Sequence, residues 1–417
     1  MTMRGLLDDI LKDIMPTSSE IKKSKELEAQ VTKKIMSALK NEKAEIICGG
    51  SYRKGTQTRD NNEIDFFVKF SLAKYRQKNI SEILGKNLKK AFPKIQTLHG
   101  SRDYFQVKAA GYIIEIIPIL GIKTAEQAEN ITDISPLHSL WVLKNSKLLR
   151  DEIRLTKAFM KAQGVYGAES YVRGFSGYAA EILTTHYGSF INVLKAAKKW
   201  KEKEVIDTNK EYKNRNALLE LSKSKTTGPL ILIDPVQKSR NVTAALSSES
   251  FTLFKKSADS FLKHPGKSFF EKKNITKEML KHEKKHLLII TLIPKAGKKD
   301  VAGAAILTRY EKIKKKLEAE GFIPSKSSWQ FDTKGMLWYY FGKLPEQTDV
   351  RKGPPSSDKQ NAAIFRKKHK KTFTQNGRIY AKIQRTFKSP HHLAKHILSQ
   401  KEFMKKIKAY EAEWHPL

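Results

Sequence analysis

The sequence predicts an α+β protein made of several domains. At 417 residues with 39% hydrophobic content, the chain is long enough to build more than one core. Segments with strand and helix periodicity alternate near both ends, whereas the residues between them have mainly helical periodicity. We therefore expect a mixed-sheet head domain, a mainly helical middle domain, and a C-terminal sheet domain with a basic helical tail.

Residues 1–130 are predicted to form the mixed-sheet head domain. The segment TSSEIKKSKELEAQVTKKIMSALKN places Thr17 three residues before Glu20, the spacing of a helix capping box, ahead of an apolar stripe. A short strand, AEIIC, ends at Gly49-Gly50, and EIDFFVKF predicts a second strand. YFQVKAAGYIIEIIPIL predicts a hairpin. These elements together indicate a small α/β domain.

The rest of the chain is predicted to divide into four parts. Residues 131–256 are assigned to the helical middle domain and residues 257–285 to a linker. In residues 286–388 the segments HLLIITLI, VAGAAILTRYEKIKKKLEA, SSWQF, MLWYYFG, SSDKQNAAIFRKKHK and GRIYAKIQR give the order β-α-β-β-α-β. This order is typical of a ferredoxin-like sheet domain. Residues 389–417 are assigned to a basic helical tail.

The charge of the chain indicates a polyanionic partner. Lysine and arginine number 80 against 43 aspartate and glutamate, for a formal net charge of +37, which favours nucleic acid. Residues 351–417 hold 17 Lys/Arg and 4 Asp/Glu, interleaved with Phe373, Tyr380, Phe387 and Trp414. Phosphates and an occasional stacked base would suit this segment, but for the aromatic side chains we expect an orientation into the core. The alternative for the overall charge is a lysine-rich lineage or a salty habitat, either of which would give every surface of the protein this composition.

The cysteine content and the first segment bear on the cell compartment. Cys48 is the single cysteine, which excludes an internal disulfide and a zinc site with several thiolates in this chain. The start MTMRGLLDDILKDIMP carries aspartates inside its apolar pattern, unlike a secretion signal. No run approaches the ~20 apolar residues of a membrane span. We expect a cytoplasmic protein that does not span a membrane; LKAAKKWKEKE keeps membrane-surface binding as an alternative.

Two acids lie inside the second predicted strand, where ionised carboxylates are unfavourable unless something neutralises them. Glu63 and Asp65 project to the same side, about 6.5 Å apart along the backbone. Glu115 likewise interrupts the apolar run YIIEIIPI. If the two strands are neighbours, the three carboxylates can hold two Mg²⁺ ions ~3.5–4 Å apart for in-line phosphoryl displacement. Each acid alone also has a structural alternative at a strand start, a turn or an exposed strand face.

The turn ahead of these acids suits a phosphate group. Glycines at positions 49 and 50 let backbone N–H groups approach phosphate oxygens, and the Ser51 hydroxyl is a further donor. Arg53 or Lys54 supplies positive charge. The sequence therefore predicts that a triphosphate lies between this turn and the metal ions.

These residues resemble a known family. GGSYRKGTQTRDNNEIDFFV is similar to the glycine-serine turn and acid-x-Asp pair of the nucleotidyltransferase superfamily, which includes poly(A) polymerases and CCA-adding enzymes. SPLHSLWV, RLTKAFMKAQGVYGAESYVRGFSGYAAEIL, HYGSF, VIDT and DPVQKSRNV resemble, in order, segments of the archaeal (class I) CCA-adding enzymes. The resemblance extends more loosely through the C-terminal sheet domain. It implies template-independent addition of C, C and A to the tRNA 3′ end from CTP and ATP.

The resemblance also implies roles for individual residues. The positions that match the family's catalytic metal ligands are Glu63, Asp65 and Glu115. The positions that match its nucleotide contacts are Ser51, Lys54, His138, Lys157, Tyr166 and Arg240. The family pattern has an aspartate where this chain has Glu115, and the extra methylene moves the carboxylate outward by about a bond length.

Several of these positions have a structural alternative. Lys157 is either a shielded lysine facing phosphate or a snorkelling surface lysine. No second histidine, cysteine or acid stands at a metal-binding spacing from His138, so its alternative is a hydrogen bond at a helix start or in the core. Tyr166 lies between Val165 and Gly167, and its alternative is packing. Arg240 matches an arginine that in the family helps to choose the incoming base, and a salt bridge with Asp234 is its competing use.

The expected reaction is in-line attack of the tRNA 3′-hydroxyl on the α-phosphate, with two Mg²⁺ ions and pyrophosphate as leaving group. The expected partners are tRNA, CTP and ATP, and a homodimer is left open. One alternative is a poly(A) polymerase or another RNA terminal nucleotidyltransferase. A second is a catalytically silent RNA-binding module.

Overall fold

The computed structural model describes residues 2–213, 215–272 and 274–417. The chain forms two compact units, residues 1–273 and 274–417. The α-helices of the first unit are α1 (Met3–Ile14), α2 (Ser18–Ala38), α3 (Gly50–Lys54), α4 (Leu72–Tyr75), α5 (Ile80–Ala91), α6 (Ser135–Asn145), α7 (Arg150–Ala162), α8 (Gly177–Tyr187), α9 (Phe190–Lys199), α10 (Ala217–Glu220) and α11 (Ser248–Lys263). Its strands are β1 (Ala44–Cys48), β2 (Glu63–Ser71), β3 (Gln96–Leu98), β4 (Tyr104–Ala109), β5 (Tyr112–Gly121), β6 (Glu204–Ile206) and β7 (Leu230–Leu232).

A five-stranded mixed sheet with the order β1-β2-β5-β4-β3 organises the first part of this unit. Strands β2 and β5 are parallel, and the predicted hairpin of β4 and β5 is antiparallel. The predicted capping box is present at the start of α2: the Thr17 N–H donates to Glu20 Oε2 at 2.7 Å, and the Glu20 N–H donates to Thr17 Oγ1 at 3.2 Å. The apolar stripe of α2 packs with the sheet and α5 in one core.

A second core gathers the helices α7, α8, α9 and α11 around clustered phenylalanine rings. Helix α1 packs in this core through the buried Ile10, although its residues lie within the range 1–130 predicted for the head domain. The predicted boundary at residue 256 falls inside α11, because Phe254 and Phe261 lie on the same buried face of that helix. An apolar helix face is buried wherever a matching apolar surface is available, which local periodicity does not reveal.

The second unit contains two antiparallel sheets. Its helices are α12 (Lys277–Lys281), α13 (Lys299–Ala319), α14 (Lys359–Lys368) and α15 (Pro390–Ser399). Its strands are β8 (His286–Pro294), β9 (Lys326–Phe331), β10 (Gly335–Phe341), β11 (Thr348–Pro355), β12 (Thr372–Gln375), β13 (Arg378–Gln384) and β14 (Ile407–His415). One sheet has the order β14-β8-β10-β9, and the other has the order β11-β13-β12.

The β-α-β-β-α-β order is present, but its last helix and strand differ from the prediction. Helix α15 and strand β14 complete the four-stranded sheet, while α14 and β13 belong to the separate three-stranded sheet. Residues 389–417, predicted as a helical tail, thus contain the strand β14, paired with β8. Ile407 of β14 and Ile397 of α15 are buried in the main core, and this burial decides which segments close the sheet.

Candidate active site

The two acids of β2 lie on one face of the head sheet. Ile64, between them, is buried in the core, so Glu63 and Asp65 project to the opposite side. Strand β5 runs parallel to β2 and places Glu115 directly beside Asp65. The prediction that the two strands are neighbours is confirmed, and paired residues of neighbouring strands share a face.

The charges of these three acids act on one another and on a nearby tyrosine. Burial and the negative charge of Glu63 raise the pKa of Asp65 to about 6, and Lys54 offsets this shift only in part. Burial and the negative charges of Glu115, Glu63 and Asp65 raise the pKa of Tyr104 to about 12. The three carboxylates therefore create a negative potential around the Tyr104 hydroxyl, which a cation would relieve.

The donor set fits a divalent cation at Glu63 and Asp65, because both supply hard carboxylate oxygens and repel one another without a cation. The third carboxylate is engaged elsewhere: Glu115 Oε1 accepts a hydrogen bond from Gln106 Nε2 of β4 at 3.1 Å. Among the described residues, no group of three or more His, Cys, Asp or Glu side chains is arranged to hold one metal ion. The role of Glu115 as a third ligand stays a prediction.

The glycine turn makes room for Asp65. Gly50 has φ +60°, and a Cβ atom there would lie 2.0 Å from Asp65 Oδ2. A Cβ atom at Gly49 would lie 2.2 Å from Cε2 of Phe67. The sequence suggested that these glycines admit phosphate; the structure adds that they make room for the Asp65 carboxylate and the Phe67 ring.

A cavity of about 220 Å³ lies next to the two acids of β2. Its lining residues are Ser51, Lys54, Thr56, Gln57, Thr58, Asn61, Glu63, Asp65, Lys157, Lys161, Tyr166, Gly177, Tyr178 and Glu181. The structure thus brings Ser51, Lys54, Lys157 and Tyr166 to one cavity with Glu63 and Asp65. His138 and Arg240 belong to a neighbouring cluster. At Ser51 the hydroxyl oxygen accepts from Asn61 Nδ2 at 2.9 Å, so its own O–H can donate to a ligand.

A buried carboxylate, Glu181 of α8, holds the two lysines of the cavity. Its Oε2 accepts from Lys54 Nζ at 2.6 Å, and its Oε1 accepts from Lys157 Nζ at 2.8 Å. The Thr56 hydroxyl also donates to Oε1, at 2.8 Å. Lys157 is 3% exposed, so the surface alternative for this lysine is excluded. Two ammonium groups that share one carboxylate leave an excess positive charge beside the acids of β2.

The pKa values of this cluster reflect the shared carboxylate. Burial alone would raise the pKa of Glu181, but the positive charges and hydrogen bonds of Lys157 and Lys54 lower it to about 2. Burial, reinforced by the charge of Lys54, lowers the pKa of Lys157 to about 8, although Glu181 acts in the opposite direction. Lys54 and Lys157 carry two positive charges against the single negative charge of Glu181. A bound polyanion such as a triphosphate would supply further negative charge and so raise the pKa of Lys157.

A third lysine and Tyr166 border the same cavity. Lys161 Nζ donates to Thr58 Oγ1 and contacts Asp60 Oδ1, both at 2.9 Å. The ammonium lies 5.3 Å from the centroid of the Tyr166 ring, within the range of a cation–π contact. A Cβ atom at Gly177 would lie 2.7 Å from the Tyr166 hydroxyl oxygen, so the start of α8 approaches Tyr166 closely.

A second buried acid, Asp234, gathers His138, Tyr178 and Arg240. His138 Nε2 lies 3.0 Å from Asp234 Oδ2, Arg240 Nη1 donates to the same oxygen at 2.8 Å, and the Tyr178 hydroxyl donates to Oδ1 at 3.1 Å. Burial alone would raise the pKa of Asp234. The hydrogen bond and charge of His138, together with hydrogen bonds from the Val236 backbone and Arg240, lower the pKa of Asp234 to about 2. The rings of His138 and Tyr178 stack with centroids 4.2 Å apart.

The competing use of Arg240, a salt bridge with Asp234, is therefore present. A guanidinium group carries five N–H donors, so this ion pair and a contact with a nucleobase are compatible. Because Tyr178 lines the cavity and stacks on His138, the Asp234 cluster borders the same cavity. Contact of His138 or Arg240 with a base stays a prediction.

Sequence reasoning missed Glu181 and gave Asp234 only a competing role. A signal for Glu181 was available: the acid interrupts the run Ala179, Ala180, Ile182, Leu183, just as Glu115 interrupts its apolar strand. Asp234 likewise adjoins an apolar run, because it comes directly after Ile233, which follows the last residue of β7. Acids in apolar segments indicate a buried partner, but which partner depends on the fold.

Comparisons with known proteins match this chain along most of its length. A nucleotidyltransferase domain model matches residues 30–138, a model of the tRNA nucleotidyltransferase second domain matches residues 151–271, and a model of the CCA-adding enzyme C-terminal domain matches residues 306–415. The chain is 41% identical to the CCA-adding enzyme of Nanoarchaeum equitans over 346 residues, 82% of this chain and 84% of the relative. It is 30% identical to that of Methanocaldococcus jannaschii, over 93% of this chain and 89% of the relative.

Among solved structures, the Cid1 poly(U) polymerase with Mg and 3′-dATP bound is similar with a TM-score of 0.50 and 14% identity. The match covers 64% of this chain and 98% of that chain. At this identity the likeness shows the fold alone, a nucleotidyltransferase fold of mixed sheet and helices.

Proposed function

The chain belongs to the archaeal CCA-adding enzymes, and from this premise we propose how its site works on tRNA, CTP and ATP. The enzyme is a CCA tRNA nucleotidyltransferase, which adds C, C and A to the 3′ end of tRNA. One observation carries the assignment of the site: a positively charged pair of lysines and a negatively charged pair of acids border the same cavity. A nucleoside triphosphate with its cation complements both.

The triphosphate is proposed to bind Lys54, Lys157 and the Ser51 hydroxyl. The two lysines already point to one carboxylate, so their ammonium groups are held in place before the nucleotide arrives. Fixed donors of this kind stabilise the charge that develops on the phosphates without reorganising during the reaction. Lys161 and Tyr166 border the cavity beside them and are assigned to the same phosphate-binding surface.

Glu63 and Asp65 would hold the divalent metal ions that nucleotidyltransferases generally use, with Glu115 as the third carboxylate of that face; we propose Mg²⁺. When bound, such ions acidify the attacking 3′-hydroxyl and neutralise the phosphate charge. Glu63 and Asp65 orient that assembly at the start of β2, and the Gly50 turn keeps Asp65 in position. Pyrophosphate leaves on the side of Lys54 and Lys157 in this arrangement, and no covalent enzyme intermediate is required.

Arg240 and His138 are proposed to select the incoming base. Asp234 holds both groups, at 3.0 Å from His138 Nε2 and 2.8 Å from Arg240 Nη1, and the Tyr178 ring connects their cluster with the cavity. A planar guanidinium can donate to acceptors on cytosine or on adenine. The base would then lie on the Asp234 side of the cavity, with the phosphates toward Glu181.

The domain roles follow from this arrangement. We propose a catalytic head with a helical nucleotide-selecting part in the first unit, and an RNA-binding role for the ferredoxin-like second unit. Across the described parts of the chain, no helix combines the length and apolarity that crossing a bilayer would require. A cytoplasmic location and a homodimer stay predictions; sedimentation velocity of the purified chain tests the homodimer.

The assay that tests the function uses tRNA lacking its CCA end with one labelled nucleotide at a time. Ordered addition of C, C and A that then stops is the expected result. A long A tract would instead identify a poly(A) polymerase. No nucleotide incorporation and no pyrophosphate release would identify an RNA-binding module without activity.

The metal assignment is tested with Glu63→Ala and Asp65→Ala. Both variants should lose CTP and ATP incorporation while tRNA binding is nearly retained, because affinity for the polyanion is distributed over many lysines and arginines. Glu45→Ala is the matched control, since Glu45 is an exposed acid of the same sheet that pairs with Lys69. Normal incorporation by both variants would reject the assignment.

A further inference from the structure

The three-stranded sheet of the second unit has two different faces. Helix α14 covers one of them, where Ile379 and Ala381 of β13 are buried. The approach is close, since a Cβ atom at Gly353 of β11 would lie 2.7 Å from the Phe365 ring of α14. Because side chains alternate along each strand, the neighbouring positions project to the opposite face of the sheet.

That opposite face carries an aromatic pair. Phe373 of β12 lies directly across from Tyr380 of β13, and their rings stack with centroids 5.5 Å apart and an interplanar angle of 20°. Both residues are partly exposed. The expectation that the aromatic side chains point into the core holds for Phe387 and Trp414, which pack against the main core. It is wrong for Phe373 and Tyr380, since the strand pairing sets their rings against each other on the uncovered face.

Exposed lysines surround the pair. Lys352 of β11 is the register partner of Tyr380. Lys382 lies two residues beyond Tyr380, and Lys371 lies two residues before Phe373, so both share their face; the Lys382 N–H donates to the Lys371 carbonyl oxygen at 2.9 Å. Across β11, β12 and β13, all of whose residues the structure describes, the positions that alternate with the α14 face carry no acidic residue.

We propose that this aromatic face, defined by Phe373, Tyr380, Lys352, Lys371 and Lys382, binds unpaired nucleotides of an RNA. A nucleobase can extend the existing stack on the outer side of either ring, and the lysines lie where the flanking phosphates would be. Stacking requires a base that is free of a duplex, so the face contacts a loop or a single-stranded stretch. This proposal rests on the proposed function, because it takes tRNA as the RNA that binds.

An acidic peptide would satisfy the lysines but would leave the stacked rings without a planar partner. RNA complements both features, because each nucleotide combines a planar base with a phosphate. Competition separates the two: a short oligouridylate should displace labelled tRNA from the aromatic face, and poly-glutamate of equal charge should displace it less well. The reverse order would overturn the proposal.

The main experiment measures tRNA binding to the full-length enzyme by fluorescence anisotropy at fixed salt, without nucleotides. Tyr380→Leu and Phe373→Leu keep apolar bulk but remove the aromatic surface. Each should weaken tRNA binding by about 5- to 140-fold, the range for one base–aromatic stack. Tyr410→Leu is the matched control, because Tyr410 is a 39% exposed tyrosine on β14. Unchanged affinity in both test variants, or equal weakening in the control, would overturn the proposal.

Steady-state kinetics and crosslinking keep this result distinct from folding defects and from failure of the proposed function. Tyr380→Leu should raise the KM for tRNA and leave the KM for CTP and kcat at saturating tRNA unchanged, whereas Tyr380→Trp should restore tRNA affinity. Ultraviolet crosslinking of wild-type enzyme to 4-thiouridine-containing tRNA should yield peptides that contain Phe373 or Tyr380. Absence of such peptides while other crosslinks form would overturn the proposal, even if CCA addition is observed. CCA addition by the wild type is scored separately.

Discussion

Replacing Glu181 with glutamine tests whether one buried carboxylate organises the triphosphate site. The folded-state pKa of Glu181 falls from 4.5 to about 2, which at ~1.36 kcal/mol per pKa unit corresponds to about 3 kcal/mol of stabilisation at pH 7. The pKa of Lys157 falls from 10.5 to about 8, a cost of about the same size for keeping this lysine charged. The burial cost of the charged lysine therefore opposes the stabilisation from the ionised carboxylate.

Glu181→Gln removes the favourable half of this balance and leaves both ammonium groups in place. We expect the free energy of unfolding at pH 7 to fall by about 3 kcal/mol, the range for removing one partner of a buried ion pair. Urea denaturation of wild type and variant measures it. A carboxyl group with a lowered folded pKa stabilises the fold above its unfolded pKa, so the difference should be complete above about pH 4.5 and vanish as the pH falls toward 2.

The same variant should raise the KM for CTP and lower kcat, because Lys54 and Lys157 lose the acceptor that holds them for the phosphates. Glu82→Gln is the control: Glu82 is exposed and pairs with Lys86 at 2.9 Å in the i, i+4 relation, so its loss should not change stability measurably. A stability difference between wild type and Glu181→Gln below about 0.5 kcal/mol, or one that persists at pH 2, would refute the electrostatic reasoning.

Further predictions concern the two neighbouring groups of the site. Gly50→Ala should reduce CTP incorporation by more than roughly tenfold in single-turnover assays, since its Cβ would displace Asp65; Gly111→Ala, at φ +85° with open space around it, is the control that should stay active. The Mg²⁺ concentration for half-maximal activity should rise as the pH falls below about 6, where protons compete for Asp65; a pH-independent value contradicts this. Asp234→Asn should lower the preference in kcat/KM for CTP over UTP by roughly tenfold, because Arg240 loses a charged acceptor; unchanged preference would exclude a positioning role.

Local chemistry made much of the site predictable. The capping box at Thr17 and Glu20 and the alternation of Glu63, Ile64 and Asp65 depend on residues a few positions apart, so the sequence alone contains them. An ionised acid within an apolar run is costly wherever the run is buried, which is why Glu115 could be recognised without a structure. The same argument applied to Glu181 would have identified it as well.

What the sequence by itself determined is therefore the set of elements, the acids that need a partner, and the polyanionic character of the ligand. The tertiary structure alone decided the partners: Glu181 meets Lys157 across 24 positions and Lys54 across 127. It also decided that β14 rather than β13 closes the main sheet, and that Phe373 and Tyr380 lie on an uncovered face. The physical reason is that periodicity records which side of an element is buried, whereas the surface that buries it is contributed by distant parts of the chain.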